Sequence, residues 1–286
     1  MYYIAVSKVI IIDGYNLTVS MLNHKKNTTV IQMWHALGAI KKFGYQTIGY
    51  EDGINIKVSK ILNMHKNYDY VLSGSKEMNK YFSEAFNVDL SKVIEIGTPT
   101  IDYLLKDNKK IINGLYKDYP ELKSKINVLY SPTFRSDGSD NTKEVINCFK
   151  NKNINLILTF HSKVEKIESK DVICINRDKY STFDVLRLVD YVITDYSALA
   201  MDACVLNKKL FFYVYDYEKY NKENGININL FKELKHSTTK NINDIINIII
   251  NNKYNEKEYE EFRKKYISNL EGNSTNKIIK IIKEHL

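Results

Sequence analysis

Hydroxyl and carboxylate side chains directly follow a short apolar run in residues 190–206, which read DYVITDYSALAMDACVL. The run leads into Thr194, Asp195 and Ser197, and apolar residues then recur with a helical spacing. Serine and threonine often cap helix N-termini, where unpaired amides and the helix dipole favour a bound anion. This arrangement predicts a loop that holds the phosphates of an activated donor.

Two histidines also follow apolar runs, His35 in the segment QMWHALG and His161 in the segment TFHSK. A lone histidine at such a position is more often structural or solvated than catalytic, but two in equivalent positions support each other. A neutral imidazole can accept a proton at physiological pH and so serve as a general base. Gly38 and Lys41 follow His35 in the same segment and are further candidates for contact with a substrate.

Arginine is scarce, and Arg135 follows Thr133 in the segment SPTFR. The planar guanidinium fork suits a phosphate group, so we expect Arg135 and Thr133 to contact the substrate. Asp216 follows another apolar run and is a third candidate, although it could instead cap a helix that begins near Tyr217. The sequence lacks a Walker loop, a GxGxxG motif and a His/Cys cluster with metal-ligand spacing, so we predict neither a metal nor a cofactor.

Short apolar runs alternate with helical periodicity along the whole chain. This alternation predicts an α/β fold with parallel sheets, which bind ligands beyond the carboxyl ends of their strands. Nine predicted strands suit two units better than one, and the lysine-rich residues 107–125 indicate a division into domains at 1–115 and 116–286. The predicted strands are residues 9–12, 30–34, 70–72, 93–96, 127–131, 156–160, 172–175, 191–193 and 210–214.

Composition indicates a globular protein, because 44% of the 286 residues are hydrophobic. The net charge of +8 fits lysine as a general surface residue as well as it fits an anionic partner. Aromatic residues are not interleaved with arginine, so nucleic acid is not a predicted partner.

The three cysteines form no disulfide framework, and no apolar run approaches about 20 residues. We therefore expect a cytoplasmic protein, with a peripheral contact with an acidic membrane as an open alternative.

Several motifs together resemble the CDP-glycerol glycerophosphotransferase family of teichoic-acid and capsule polymer enzymes. The segment QMWHALGAIKKFG is similar to the family motif QxWHGxxxKK, and residues 190–203 are similar to its motif DVLITDYSS. The resemblance covers nearly the whole chain. It extends to SGSKEMNKYFSEAF and GTPTIDYLL within 72–105, LYSPTFR at 129–135 and FFYVYDYEKY at 211–220.

The resemblance implies a GT-B architecture of two Rossmann-like domains with parallel sheets facing a central cleft. It also implies transfer of glycerol phosphate or ribitol phosphate from a CDP-polyol to a hydroxyl of a lipid-linked glycan or polymer, with release of CMP. His35 and His161 match the two catalytic histidines of the family. Thr194, Asp195 and Ser197 match its donor-phosphate loop.

The sequence departs from the family pattern at several places. Ala198 stands where the family has a second serine, Thr100 where it has an arginine, and Asn224-Gly225 where it has an arginine–glycine pair. The first domain is predicted to be shortened, because the family usually has further strands before this point. Two alternatives stay open: a GT-B glycosyltransferase or nucleotide-sugar epimerase of the same architecture, and a non-catalytic binding module.

Overall fold

The computed structural model describes residues 1–51, 53–133, 135, 140–159 and 172–286. Within these residues, the paired strands run parallel and form one four-stranded and one six-stranded sheet. The strands are β1 (Val9–Ile12), β2 (Thr29–Gln32), β3 (Tyr70–Leu72), β4 (Val93–Ile94), β5 (Ile126–Tyr130), β6 (Ile154–Thr159), β7 (Val172–Ile175), β8 (Tyr191–Thr194), β9 (Lys209–Tyr213) and β10 (Thr238–Thr239).

Helices separate most of the consecutive strands, as parallel pairing requires, because each chain must cross back before the next strand begins. They are α1 (Tyr2–Val6), α2 (Leu17–Met21), α3 (Ile56–Ile61), α4 (Lys76–Phe86), α5 (Pro99–Leu105), α6 (Lys109–Asp118), α7 (Thr142–Phe149), α8 (Thr182–Leu186), α9 (Leu199–Val205), α10 (Tyr217–Glu223), α11 (Leu230–Glu233), α12 (Ile242–Ile250), α13 (Glu256–Tyr266) and α14 (Ser274–Glu284). Short 3-10 segments lie at 44–47, 90–92, 120–123 and 235–237.

The prediction of an α/β fold with two parallel sheets is confirmed. Each of the nine predicted apolar runs forms a strand, because both faces of a parallel sheet are covered and select apolar residues. β8, for example, buries all four of its residues. The two-residue strand β10 was not predicted, since so short a segment carries no periodic pattern. The second predicted strand was also too long: β2 ends at Gln32, before Met33 and Trp34.

The described residues pack into two compact units. Unit 1 comprises Met1–Leu105, Glu218–Ile228 and Lys264–Leu286 and contains the sheet β1-β2-β3-β4. Unit 2 comprises Lys106–Tyr217 and Asn229–Arg263 and contains the sheet β10-β9-β8-β5-β6-β7. These units differ from the predicted contiguous ranges 1–115 and 116–286, because two later segments of the chain, 218–228 and 264–286, belong to unit 1.

The last helix, α14, shows why the C-terminus belongs to unit 1. Ile278 forms a buried cluster with Ile31 of β2 and Leu72 of β3. The carboxylate of Asp102 in α5 accepts hydrogen bonds from the backbone N–H groups of Ser274 (2.9 Å) and Thr275 (2.7 Å). The sequence predicts Asn273 or Ser274 as the cap of this helix. Asn273 makes no side-chain cap bond, since a carboxylate from a distant helix occupies that place.

Among the helices of the described ranges, none combines the length and apolarity needed to cross a membrane.

Candidate active site

Three neighbouring strands of unit 2 bring predicted site residues together. β9, β8 and β5 are adjacent in the sheet and parallel, so their carboxyl ends lie at one edge. Thr133 follows β5, Asp195 follows β8 and Asp216 follows β9. The sheet order therefore places side chains from three distant segments of the chain in direct contact.

Asp195 is the centre of these contacts and is 1% exposed. Its Oδ1 accepts hydrogen bonds from the backbone N–H of Thr133 (2.8 Å), from Thr133 Oγ1 (2.6 Å) and from the backbone N–H of Tyr196 (2.6 Å). A carboxylate with three donors on one oxygen joins the loop after β5 to the loop after β8. Asp195 therefore shapes the site from within, with its carboxylate turned towards the protein.

Arg135 pairs with two carboxylates. Its Nη2 lies 3.1 Å from Asp195 Oδ2 and 2.8 Å from Asp216 Oδ2. Nε also donates to Asp216 Oδ2 (3.2 Å), and Nη1 donates to the carbonyl of Thr133 (2.8 Å). Burial disfavours the charged guanidinium, but Asp195 and Asp216 outweigh burial and raise the pKa of Arg135. A phosphate would have to compete with both carboxylates for this fork, and direct contact of Arg135 with the substrate stays a prediction.

Tyr196 belongs to the same network, although sequence reasoning did not single it out. Its hydroxyl donates to Asp216 Oδ1 (3.0 Å), and the guanidinium carbon of Arg135 lies 5.7 Å from the centre of its ring. Burial, together with the charge of Asp216, raises the pKa of the Tyr196 hydroxyl. The hydroxyl therefore stays protonated and serves as a hydrogen-bond donor. Asp216, which was also a candidate helix cap, uses its carboxylate in this network.

The two hydroxyl residues of the loop after β8 differ in their surroundings. Thr194 is fully buried, and its Oγ1 donates to the carbonyl of Ser131 (2.7 Å). This hydroxyl supports the loop from inside. Ser197 is half-buried, and its Oγ accepts from the backbone N–H of Leu199 (3.3 Å) at the start of α9. Of the two, Ser197 is the one whose side chain reaches the surface of the site.

In unit 1, His35 lies in the loop after β2, and its side chain is exposed. Its Nδ1 is 2.9 Å from the carbonyl oxygen of Asp13. A carbonyl oxygen can only accept, so Nδ1 carries the proton in the neutral ring and Nε2 keeps its lone pair. The ring of Trp34 lies 4.1 Å from the imidazole, centre to centre, at 31°. The geometry suits a base that accepts a proton at Nε2.

The other unit 1 candidates lie further along the same loop. Gly38 is buried, whereas Lys41 is exposed and forms an isolated antiparallel bridge with Ile226. The carbonyls of Ala39 and Lys41 accept from the side-chain amide of Asn227 (3.1 and 3.3 Å). These contacts hold the backbone of the loop beyond His35. His161, the second predicted catalytic histidine, lies outside the described residues.

Comparison with known proteins places the chain in one family. The family model described as CDP-Glycerol:Poly(glycerophosphate) glycerophosphotransferase matches residues 1–284. A teichoic acid ribitol-phosphate primase of Bacillus spizizenii is 28% identical over 300 residues, covering 100% of this chain and 77% of the relative. A teichoic acid glycerol-phosphate primase of Bacillus subtilis is 29% identical over 285 residues, covering 96% of this chain and 73% of the relative.

A solved structure supports the same fold. The wall teichoic acid polymerase TagF superposes with a TM-score of 0.77 at 19% sequence identity, covering 97% of this chain and 72% of that protein. At this identity the likeness concerns the fold alone. The family resemblance seen in the sequence motifs is thus confirmed by the match across residues 1–284: the chain belongs to the CDP-glycerol:poly(glycerophosphate) glycerophosphotransferase family.

Proposed function

We propose that this protein transfers a polyol phosphate from a CDP-polyol to a hydroxyl of a teichoic-acid or related polymer, with release of CMP. The family match across residues 1–284 carries the proposal. CDP-glycerol and CDP-ribitol are both candidate donors, since relatives named for glycerol phosphate and for ribitol phosphate are similar to the chain to the same degree.

The geometry of His35 supports a role as general base. Because Nδ1 is bonded to the carbonyl of Asp13, Nε2 can accept the proton of the attacking hydroxyl. The hydroxyl oxygen then bonds to the phosphorus that carries the polyol, and the bond from that phosphorus to the CMP oxygen breaks. Such a transfer depends mainly on positioning and on stabilising charge.

The loops of unit 2 support a role in holding the donor phosphates. Ser197 and the backbone amides at the start of α9 are the candidate contacts. Asp195 and Asp216 alone would repel a diphosphate, but Arg135 lies within 3.1 Å of both carboxylates and offsets their charge. His161 stays a predicted residue that stabilises charge on the diphosphate of the donor.

Release of CMP tests the proposal. The purified protein is incubated with CDP-glycerol, CDP-ribitol or a UDP-sugar, each with a lipid-linked acceptor. Release of CMP with elongation of the acceptor supports the transferase. Turnover of the UDP-sugar alone would favour the glycosyltransferase or epimerase alternative, and a folded protein without turnover would favour a binding module.

His35→Ala should lower turnover by about 10²–10⁴-fold, because a general base contributes about that much. Affinity for the CDP-polyol, measured by calorimetry, should survive. His24→Ala is the matched control, since the His24 ring also bonds to a backbone carbonyl, that of Val19 (2.7 Å), in the same unit. Near-parental turnover in His35→Ala would contradict the assignment.

We also propose a peripheral contact between unit 1 and an acidic membrane, which would bring the protein to a lipid-linked acceptor. The helices α2 and α3 expose Leu17 (48%), Met21 (48%), Val58 (48%) and Ile61 (71%). The two helices are close in space, because Asn63, two residues after α3, has its Nδ2 3.7 Å from Sδ of Met21 in α2. Exposed lysines lie close to these apolar residues in the sequence, at positions 25, 26, 57 and 60. Apolar residues with basic neighbours are typical of surfaces that bind anionic lipid.

Ile61→Glu should abolish binding to vesicles that contain anionic phospholipid, because it puts a negative charge at the most exposed residue of the patch. Co-sedimentation with anionic and with zwitterionic vesicles measures the effect. Leu90→Glu, at another exposed apolar residue of unit 1 (54%), is the control. Equal vesicle binding by both variants would contradict a membrane contact at this patch. If Ile61→Glu alone loses self-association of the protein, the patch binds a second copy of the chain instead.

A further inference from the structure

The residue before His35 has an unusual backbone. Trp34 has a φ of 57°, in the left-handed region, which a bulky side chain rarely adopts and which persists only where the surroundings hold it. The backbone N–H of Trp34 donates to Oε1 of Gln32 (2.9 Å), and Gln32 has no exposed surface. The buried amide therefore supports the strained residue that immediately precedes the candidate base.

The other end of the same amide reaches the opposite side of His35. Gln32 Nε2 donates to the carbonyl of Gly14 (2.9 Å). Gly14 follows Asp13, whose carbonyl accepts from His35 Nδ1 (2.9 Å). One side chain thus joins the segment that carries the imidazole to the segment that holds it. One end must accept and the other must donate, so an amide satisfies both where a carboxylate would not.

Ring packing connects Trp34 rigidly to its surroundings. The indole stacks on Phe43 at 4.9 Å and 18° and meets Phe86 edge-on at 5.2 Å, between ring centres. It also covers one face of the His35 imidazole. A change in the backbone of Trp34 would therefore move the imidazole as well.

We propose that Gln32 is a positioning residue for His35. It holds Trp34 in the left-handed conformation and fixes the loop at 13–14, so that Nδ1–H stays on the carbonyl of Asp13 and Nε2 stays available to a substrate. This inference rests on the proposed role of His35 as general base. Gln32 itself touches no reacting atom and acts through the orientation of the ring.

Gln32→Met removes the hydrogen bonds to Trp34 and Gly14 at similar volume. We expect kcat to fall about 100-fold, the scale of a misplacement of a reacting group by about 1 Å, while affinity for the CDP-polyol stays unchanged. Gln46→Met is the control, because Gln46 is the other glutamine of the chain and its amide bonds to Glu84 (2.8 Å) and Asn227 (3.0 Å) rather than to Trp34 or Gly14. Equal kcat in the two variants would overturn the proposal.

Spectroscopy tests the positioning without any turnover. Trp34 is the single tryptophan of the chain, so its fluorescence and its quenching by acrylamide report on this loop alone. The ¹⁵N resonances of the imidazole show which nitrogen carries the proton. Gln32→Met should change the emission and reduce the population with Nδ1–H, whereas Gln46→Met should change neither. A parental spectrum and tautomer in Gln32→Met would overturn the proposal.

The kinetic and spectroscopic measurements together distinguish a wrong role for Gln32 from a wrong proposed function. If the parent protein releases no CMP from any CDP-polyol, the fluorescence and the tautomer still decide the role of Gln32. If Gln32→Met does not fold, Gln32→Glu takes its place, because its carboxylate can accept from Trp34 but cannot donate to Gly14. Loss of the Nδ1–H tautomer in that variant supports the proposal, and an unchanged tautomer overturns it.

Discussion

Arg135 has 9% of its side chain exposed and lies between Asp195 and Asp216. A buried arginine with two carboxylates contributes to the net stability only modestly, since desolvation offsets the attraction, but removal of one partner leaves uncompensated charge. Nη1 of Arg135 also donates a hydrogen bond to the backbone carbonyl of Thr133. We therefore expect Arg135 to hold the backbone of the loop after β5 in place as well as to offset the charge of the two carboxylates.

Arg135→Met should lower the free energy of unfolding by about 3–5 kcal/mol, because it leaves two carboxylates facing each other without a cation. Urea denaturation measures the change. Arg177→Met is the control, since Arg177 is exposed and its loss should move the midpoint little. The same midpoint in both variants would show that the ion pairs do not hold the loops.

At the scale of elements, the short helix α9 follows the loop after β8 and is buried on most of its surface. Six of its seven residues are buried, from Ala200 to Val205. A helix that is apolar nearly all round must lie within a core, which fixes the direction of the loop before it. Asp202 is the exception in this helix, and burial raises its pKa to about 7.

Asp202 should make the stability depend on pH. Its pKa is raised above the ordinary value of 3.8, so between those values the folded state holds a proton that the unfolded state releases. The free energy of unfolding should therefore fall as pH rises through this window, by at most about 4 kcal/mol in all.

Asp202→Asn should remove that slope. The free energy of unfolding of the variant, relative to that of the parent, should increase as the pH rises from about 4.5 to about 7.5, and urea denaturation at each pH measures it. Buried His65, whose pKa burial lowers to about 4, contributes the opposite slope in both proteins and cancels in the difference. Asp178→Asn, at an exposed carboxylate, is the control, and a difference independent of pH in Asp202→Asn would contradict the prediction.

At the scale of the molecule, the chain passes between its two units more than once. Unit 1 is completed by residues 218–228 and 264–286, so the four-stranded sheet depends on the C-terminus for part of its core. α14 supplies Ile278 to the cluster with Ile31 and Leu72. A loss in this helix should therefore weaken the unit that carries His35.

Ile278→Ala should cost about 2–5 kcal/mol of stability, since it removes a buried side chain and leaves a cavity. Ile279→Ala is a close control, because Ile279 is the next residue in the sequence and is 41% exposed, whereas Ile278 is 4% exposed. The single Trp34, in the same unit, reports the transition by fluorescence. Equal midpoints for the two alanine variants would show that α14 does not stabilise unit 1.

The sequence by itself determined nine of the ten described strands, the parallel α/β class and the segments that follow those strands, because apolar runs and helical periodicity are local properties. It also carried the motifs around His35 and residues 190–203 that mark the family. Gly38, Lys41 and Ser197 remain candidate contacts whose roles a donor complex would decide.

The tertiary structure decided which side chains meet. Arg135 and Asp216 are 81 positions apart in the chain, and only the order β9-β8-β5 makes them partners. For the same reason the hydrogen bond of Thr194 to the carbonyl of Ser131 and the amide bridge of Gln32 could not be predicted, since each depends on a loop from another strand. Local sequence patterns report whether a residue is covered, whereas hydrogen-bond partners depend on sheet order, which is a property of the whole unit.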